Sequence, residues 1–145
     1  MLQISRRVEY ALRASIHLSG LGPGETLSFR EIGEQQEIPK DFLAKILRTL
    51  VDAGIVASVR GSGGGFMLAR PACEVSFLDV IEAVEGPVAL NECTVNGAGC
   101  AWSMQCGMSS VWEQAQGAML GVLRNTNLST MRLPDRVLRL EEASE

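Results

Sequence analysis

Four glycines among the five residues Gly61-Ser62-Gly63-Gly64-Gly65 stand between two short alternating runs, and this limits the fold more than any other feature. Before them lies Ile55-Val56-Ala57-Ser58-Val59-Arg60, and after them Phe66-Met67-Leu68-Ala69-Arg70. Alternation on both sides of a glycine-rich turn predicts a β-hairpin. A phosphate-binding loop would need a helix directly after the glycines, or Lys followed by Ser or Thr, and neither is present.

Upstream the pattern is helical. Residues 5–20 carry Val8, Leu12, Ile16 and Ser19 on one stripe, widened by Ala11, Ala14 and Leu18, and Gly20 with Gly22-Pro23-Gly24 stops the run. Ser28-Phe29-Arg30-Glu31 fits a capping box, in which hydroxyl and carboxylate satisfy each other's orphan backbone N–H groups. The helix it opens is short, because Ile38-Pro39 breaks the register. A third helix follows with Pro39 in its first turn, an apolar stripe of Phe42, Leu43, Ile46, Leu47 and Leu50, and a stop at Ala53-Gly54.

Downstream of the hairpin, Ser76 opens a fourth helix from Phe77 that ends at Gly86-Pro87. Residues 87–107 form a long loop with little periodicity, the kind that is usually functional or disordered. A second capping-box pattern, Ser110-Val111-Trp112-Glu113, then predicts a long helix to about Arg124. Its apolar residues fall on two stripes, Val111/Ala115/Ala118/Val122 and Trp112/Met119/Leu123. Two apolar faces need two partners, the chain's own domain on one side and a second subunit on the other. Residues 133–145 are charged and read as a loose tail, apart from a last short helix.

Three helices and then a two-stranded wing give the order of a winged helix-turn-helix, whose third helix enters the DNA major groove. The expected fold is mainly α with a small β wing. It divides into a DNA-binding domain at 1–86, a cysteine-bearing loop at 87–107, a dimerisation helix region at 108–132 and a tail at 133–145.

Charge supports this locally rather than globally. The chain of 145 residues has a net charge of −4, which argues against a general nucleic-acid glue. Residues 39–70, however, carry Lys40, Lys45, Arg48, Arg60 and Arg70 against only Asp41 and Asp52. Phosphate attraction is screened over about 8–10 Å, so a local patch outweighs the total. Lys40, Lys45 and Arg48 leave the apolar stripe of the third helix free. Arg60 sits beside glycines whose missing Cβ atoms allow close approach to a sugar–phosphate backbone. Taken one at a time, such lysines are more often solvated surface, and such glycines often serve only their turn; it is the combination that points to DNA.

Other classes are disfavoured. A single histidine, His17, and no repeated acid–histidine grouping make a hydrolase a poor fit; the histidine reads as a helix-face residue. The longest charge-free stretch, residues 93–112, is broken by polar residues and glycines and would not span a membrane. Glu9, Arg13 and His17 interrupt what would be the apolar part of a secretory signal, so a cytoplasmic location is expected.

Four cysteines occur, at 73, 93, 100 and 106. Cys93, Cys100 and Cys106 share the pliable loop with Asn96, Gly97 and Gly99, and could wrap a soft metal centre. Zinc would favour closer pairs and a fourth ligand nearby, whereas iron–sulfur clusters accept wider spacings. Buried inert thiols are the alternative. Cys73 stands alone after the wing and reads as structural.

The run FLAKILRTLVDAGIVASVRGSGGGFMLARP at 42–71 resembles the Rrf-two (Rrf2) family of bacterial winged-helix regulators. RVEYALR at 7–13 and LDVIEAVEG at 78–86 match as well, and the resemblance covers about residues 1–125. It implies a homodimer joined through the long C-terminal helix, binding a palindromic operator in double-stranded DNA and usually repressing transcription. By position, the family's DNA-contacting residues fall on Ser28, Lys40, Phe42, Lys45, Arg48 and Arg60.

The three loop cysteines resemble the cluster ligands of the family's iron–sulfur members, the regulator of cluster biogenesis and the nitric-oxide sensor. That implies a 2Fe–2S or 4Fe–4S cluster on Cys93, Cys100 and Cys106, sensing redox, nitric oxide or iron status. The first cysteine spacing is one residue longer than the family's usual pattern. Ser109 stands where the biogenesis regulator has a histidine ligand. Glu9 matches a position from which some relatives supply a carboxylate across the dimer; its plain reading is an ordinary surface glutamate. Two alternatives stay open: a cluster-free regulator of this family controlled by thiol oxidation, a small ligand or a protein partner, and an electron-transfer or cluster-carrier protein using the fold as a scaffold.

Overall fold

The computed structural model describes residues 3–95, 100–102 and 105–131. The tail expected at 133–145 lies outside them.

Helix α1 (Arg6–Ser19) starts where the Ser5 hydroxyl accepts from the Val8 N–H at 3.3 Å, and it buries Val8, Ala11, Ala14, Ser15, Ile16 and Leu18. Helix α2 (Phe29–Gln36) has the full capping box read from its sequence: Ser28 Oγ accepts from Glu31 N at 3.1 Å, and Ser28 N donates to Glu31 Oε2 at 2.8 Å. It stops at Glu37, which turns left-handed with φ 52°. Helix α3 (Lys40–Asp52) begins one residue later than expected, because Pro39 is its N-cap rather than part of its first turn. Leu43, Ile46, Leu47 and Leu50 are buried as the stripe required. Phe42 departs from that stripe: it is 40% exposed and packs sideways on Tyr10 instead of entering the core.

The wing is a two-stranded antiparallel sheet of β1 (Val56–Val59) and β2 (Gly65–Leu68), pairing Val56 with Leu68 and Val59 with Gly65. Both strands are shorter than the alternating runs. Leu27 adds a single-residue third rung beside Phe66, with N–O distances of 3.0 and 2.7 Å. This rung and the hairpin's own backbone change the reading of the glycines. A Cβ on Gly65 would stand 2.4 Å from the Leu27 carbonyl oxygen, and one on Gly64 would stand 2.3 Å from that of Val59. These two glycines therefore serve the wing's own packing. Only Gly61 and Gly63, both with positive φ and open space around them, remain available for approach from outside.

Helix α4 (Phe77–Glu85) is capped by Ser76 and Asp79 and buries Leu78, Val80, Ile81 and Val84. Helix α5 (Ser109–Asn125) begins at Met108 without a side-chain cap, so the box expected at Ser110 and Glu113 does not form. None of the 17 residues of α5 is buried. What anchors α5 is the segment after it: Phe77 N donates to Thr126 O at 2.9 Å, Leu128 N donates to Val75 O at 2.9 Å, and the Leu128 side chain is fully buried. Burying a leucine is worth about 1.5–3 kcal/mol, which suits a plug holding the exit of a long helix. No helix among the described residues is long and apolar enough to cross a membrane.

Candidate nucleic-acid interface and cysteine site

The cations divide into two sets. Arg13, Arg30 and Arg70 are paired with Glu9 at 3.9 Å, Glu34 at 2.8 Å and Asp79 at 4.0 Å. Among the described residues, Lys40, Lys45, Arg48 and Arg60 make no ion pair, nor do Arg6, Arg7 and Arg124, and all seven are exposed. Free cations on an exposed helix and at a wing are what phosphate contact requires.

Local structure positions them. The apolar stripe of α3 faces the core, so Lys45 and Arg48 project from the opposite side with Phe42. Arg7 from α1 and Asp41, Phe42, Lys45, Arg48, Thr49 and Asp52 from α3 line one open depression of about 480 Å³. Lys40 opens the same helix, and Arg60 directly follows β1. Ser28 sits at the N-terminus of α2, where its own N–H and that of Glu31 are taken up by the capping box. Hydrogen bonds from the Ser28 N–H and hydroxyl hold the Glu31 carboxyl below the usual carboxylate range. The wing tip is tied back by Thr26, whose hydroxyl donates to Gly63 O at 2.9 Å. Sequence reading missed Thr26 and Arg7, because neither belongs to a stripe or a cap.

The cysteine loop shows a separate arrangement. Cys93, Cys100 and Cys106 are free and half-buried, and together with Glu92, Met108, Ser109 and Trp112 they line one concavity of about 260 Å³. Among the described residues, no three His, Cys, Asp or Glu side chains converge as a metal site. The Ser109 hydroxyl donates to Cys106 O at 2.9 Å. Gln116 of α5 holds the root of the loop: Leu90 N donates to its Oε1 at 3.0 Å, and its Nε2 donates to Thr94 O at 3.4 Å. Glu9 is not among the residues lining this concavity and lies instead in a depression with Gln3, Ile4, Ser5 and Arg6. Cys73, expected to be structural, is exposed. His17 lies on the face of α1, with its Nε2 hydrogen-bonded to Gln35 Oε1.

Residues 4–132 match the Rrf2 family, described as iron-dependent transcriptional regulator. The chain belongs to the Rrf2 family. Rrf2 proteins are winged-helix transcriptional regulators that bind DNA, and this chain is a regulator rather than an enzyme. It is 27% identical over 145 residues to the helix-turn-helix regulator IscR of Vibrio cholerae, covering 99% of this chain and 83% of that protein. Among solved structures it resembles IscR of T. potens with a TM-score of 0.72 and 26% identity, over 99% of this chain and 92% of that one. CymR, the global cysteine regulator of B. subtilis, gives the same TM-score and identity over 88% and 94% of the two chains.

Proposed function

We propose that this Rrf2 chain is a homodimeric regulator of transcription whose affinity for a palindromic operator depends on an iron–sulfur cluster held by Cys93, Cys100 and Cys106. The observation that carries this reading is that three free, half-buried thiols from a loop without periodicity line one concavity. Thiolates are the donors such clusters take, so the donor set fits. The thiols share the concavity without converging, which leaves a further closing of the loop to binding. A bound cluster supplies a redox-responsive cross-link at the base of α5. Glu9 of a second copy is the candidate fourth ligand.

The chain's own residues connect that site to DNA. Gln116 holds the loop root against α5, and the segment after α5 is hydrogen-bonded to Val75 and Phe77 at the start of α4. Helix α4 packs on α1 and α3, so a shift of the loop reaches the helix bearing Lys45 and Arg48. The exposed stripe Val111/Ala115/Ala118/Val122 supports pairing through α5, with Val111 59% and Val122 67% exposed. The two α3 helices of the dimer must meet half-sites one turn apart, about 34 Å, so a small change in their spacing costs affinity.

The test is anaerobic purification with a visible spectrum and iron and sulfide analysis. A coloured protein that loses colour in Cys93→Ala but keeps it in Cys73→Ala supports the reading. Equal operator affinity for cluster-bound and cluster-free dimers at one salt concentration would sink the sensing role. A colourless, iron-free protein moves the weight to a second reading: a cluster-free regulator switched by oxidation of the same thiols. The likeness to CymR supports that alternative.

A further inference from the structure

We infer that Arg7, in the first turn of α1, is a DNA phosphate ligand that extends the interface beyond the third helix and the wing. Arg7 is exposed and makes no ion pair or hydrogen bond among the described residues. It shares the open depression with Phe42, Lys45, Arg48 and Thr49 of α3. Its placement has a physical cause. Residues three apart lie on one face of a helix, so Arg7 and Tyr10 point the same way. Tyr10 is pinned edge-on to Phe42 at 5.5 Å, which turns this face of α1 toward the exposed side of α3.

Asp41 and Asp52 line the same depression. Three cations against two carboxylates leave it net positive by one charge, and Arg7 supplies that excess. A guanidinium there suits a phosphate oxygen of the strand bordering the groove that α3 enters, since phosphate contacts fix register without reading sequence. The inference rests on α3 being the groove-entering helix.

The contact is sequence-independent, so a mixed-sequence duplex of about four helical turns is a sufficient probe. Binding of the full chain is followed by fluorescence anisotropy from about 50 to 200 mM salt. Arg7→Gln is expected to lower the slope of log affinity against log salt by about 1.8 for the dimer, about 0.9 for the one phosphate met by each copy. Arg7→Lys keeps the charge and is expected to keep the slope, and Arg124→Gln, on α5, to leave it unchanged. Circular dichroism shows whether each variant is folded. If Arg7→Gln keeps the full slope while Lys45→Gln reduces it, the Arg7 inference is overturned and the α3 interface stands. If the duplex is bound with no change of slope in either variant, or is not bound at all, both are overturned.

Discussion

The rings of Tyr10 and Phe42 meet edge to face, with centroids 5.5 Å apart and 72° between their planes. The Arg13 guanidinium lies 5.7 Å from the centre of the Tyr10 ring, and its Nη2 donates to the carbonyl of Gln36. Helix α1 thus holds both the exposed face of α3 and the end of α2. Edge-on aromatic pairs contribute about 0.5–1.5 kcal/mol beyond area burial. A double-mutant cycle of Tyr10→Ala and Phe42→Ala in urea is expected to show coupling in that range. Additive effects would mean that the pair does not form in solution.

Gly65 should not tolerate a side chain. With the Leu27 carbonyl oxygen 2.4 Å from where a Cβ would stand, Gly65→Ala must break the Leu27–Phe66 rung or distort β2. A loss of about 2 kcal/mol is expected, with faster hydrogen exchange at the Leu27 amide. Ser62→Ala, one turn away at the exposed tip, is expected to change stability by less than about 0.5 kcal/mol. Equal stability of the two variants would refute the rung.

The cap of α2 predicts a pH dependence. Glu31 titrates below its ordinary range because Ser28 hydrogen-bonds its carboxylate, through the backbone N–H first and the hydroxyl second. Its contribution is therefore present above the unfolded carboxylate pKa and is lost as pH falls through the lower folded value. Glu31→Gln keeps a reciprocal hydrogen bond without the charge and is expected to flatten this part of the acid melting profile. Ser28→Ala removes the cap at every pH and is expected to cost about 1 kcal/mol. An acid limb identical in wild type and Glu31→Gln would show that the carboxylate is not coupled to the cap.

Val122 offers the test of assembly. It is 67% exposed on the unpartnered stripe of α5, so Val122→Asp leaves the monomer's own core intact. Under the dimeric reading, this charge is expected to shift sedimentation toward the monomer and to weaken operator binding. A variant that stays dimeric at micromolar concentration would remove this stripe from the interface.

Much of this architecture is legible in the residues. Ser28 and Ser76 announce two helix starts because capping is a local hydrogen-bond pattern, and Leu43 through Leu50 announce the buried face of α3 because its period is regular. What escaped depends on partners distant in sequence. Phe42 continues the stripe in sequence but is drawn outward by Tyr10, and Gly65 looks like freedom at the tip until Leu27 arrives beside it. Ser110 and Glu113 have the spacing of a cap, yet α5 already starts at Ser109. The gathering of the three cysteines was readable only as a possibility of the loop, since no periodicity dictates where an irregular segment folds back.

The wing has a fixed root and a free rim. Gly64 and Gly65 are locked by backbone on both sides, whereas nothing lies within 4 Å of where a Cβ would stand at Gly61 or Gly63. Gly61 and Gly63 hold positive φ that a side chain would strain, so the freedom to reshape this rim without disturbing the packing of the domain lies at Ser62 between them. Under the proposed DNA-binding reading, that exposed residue is a tuning element: the wing's preference for one operator over another can drift there with little effect on the scaffold that carries it.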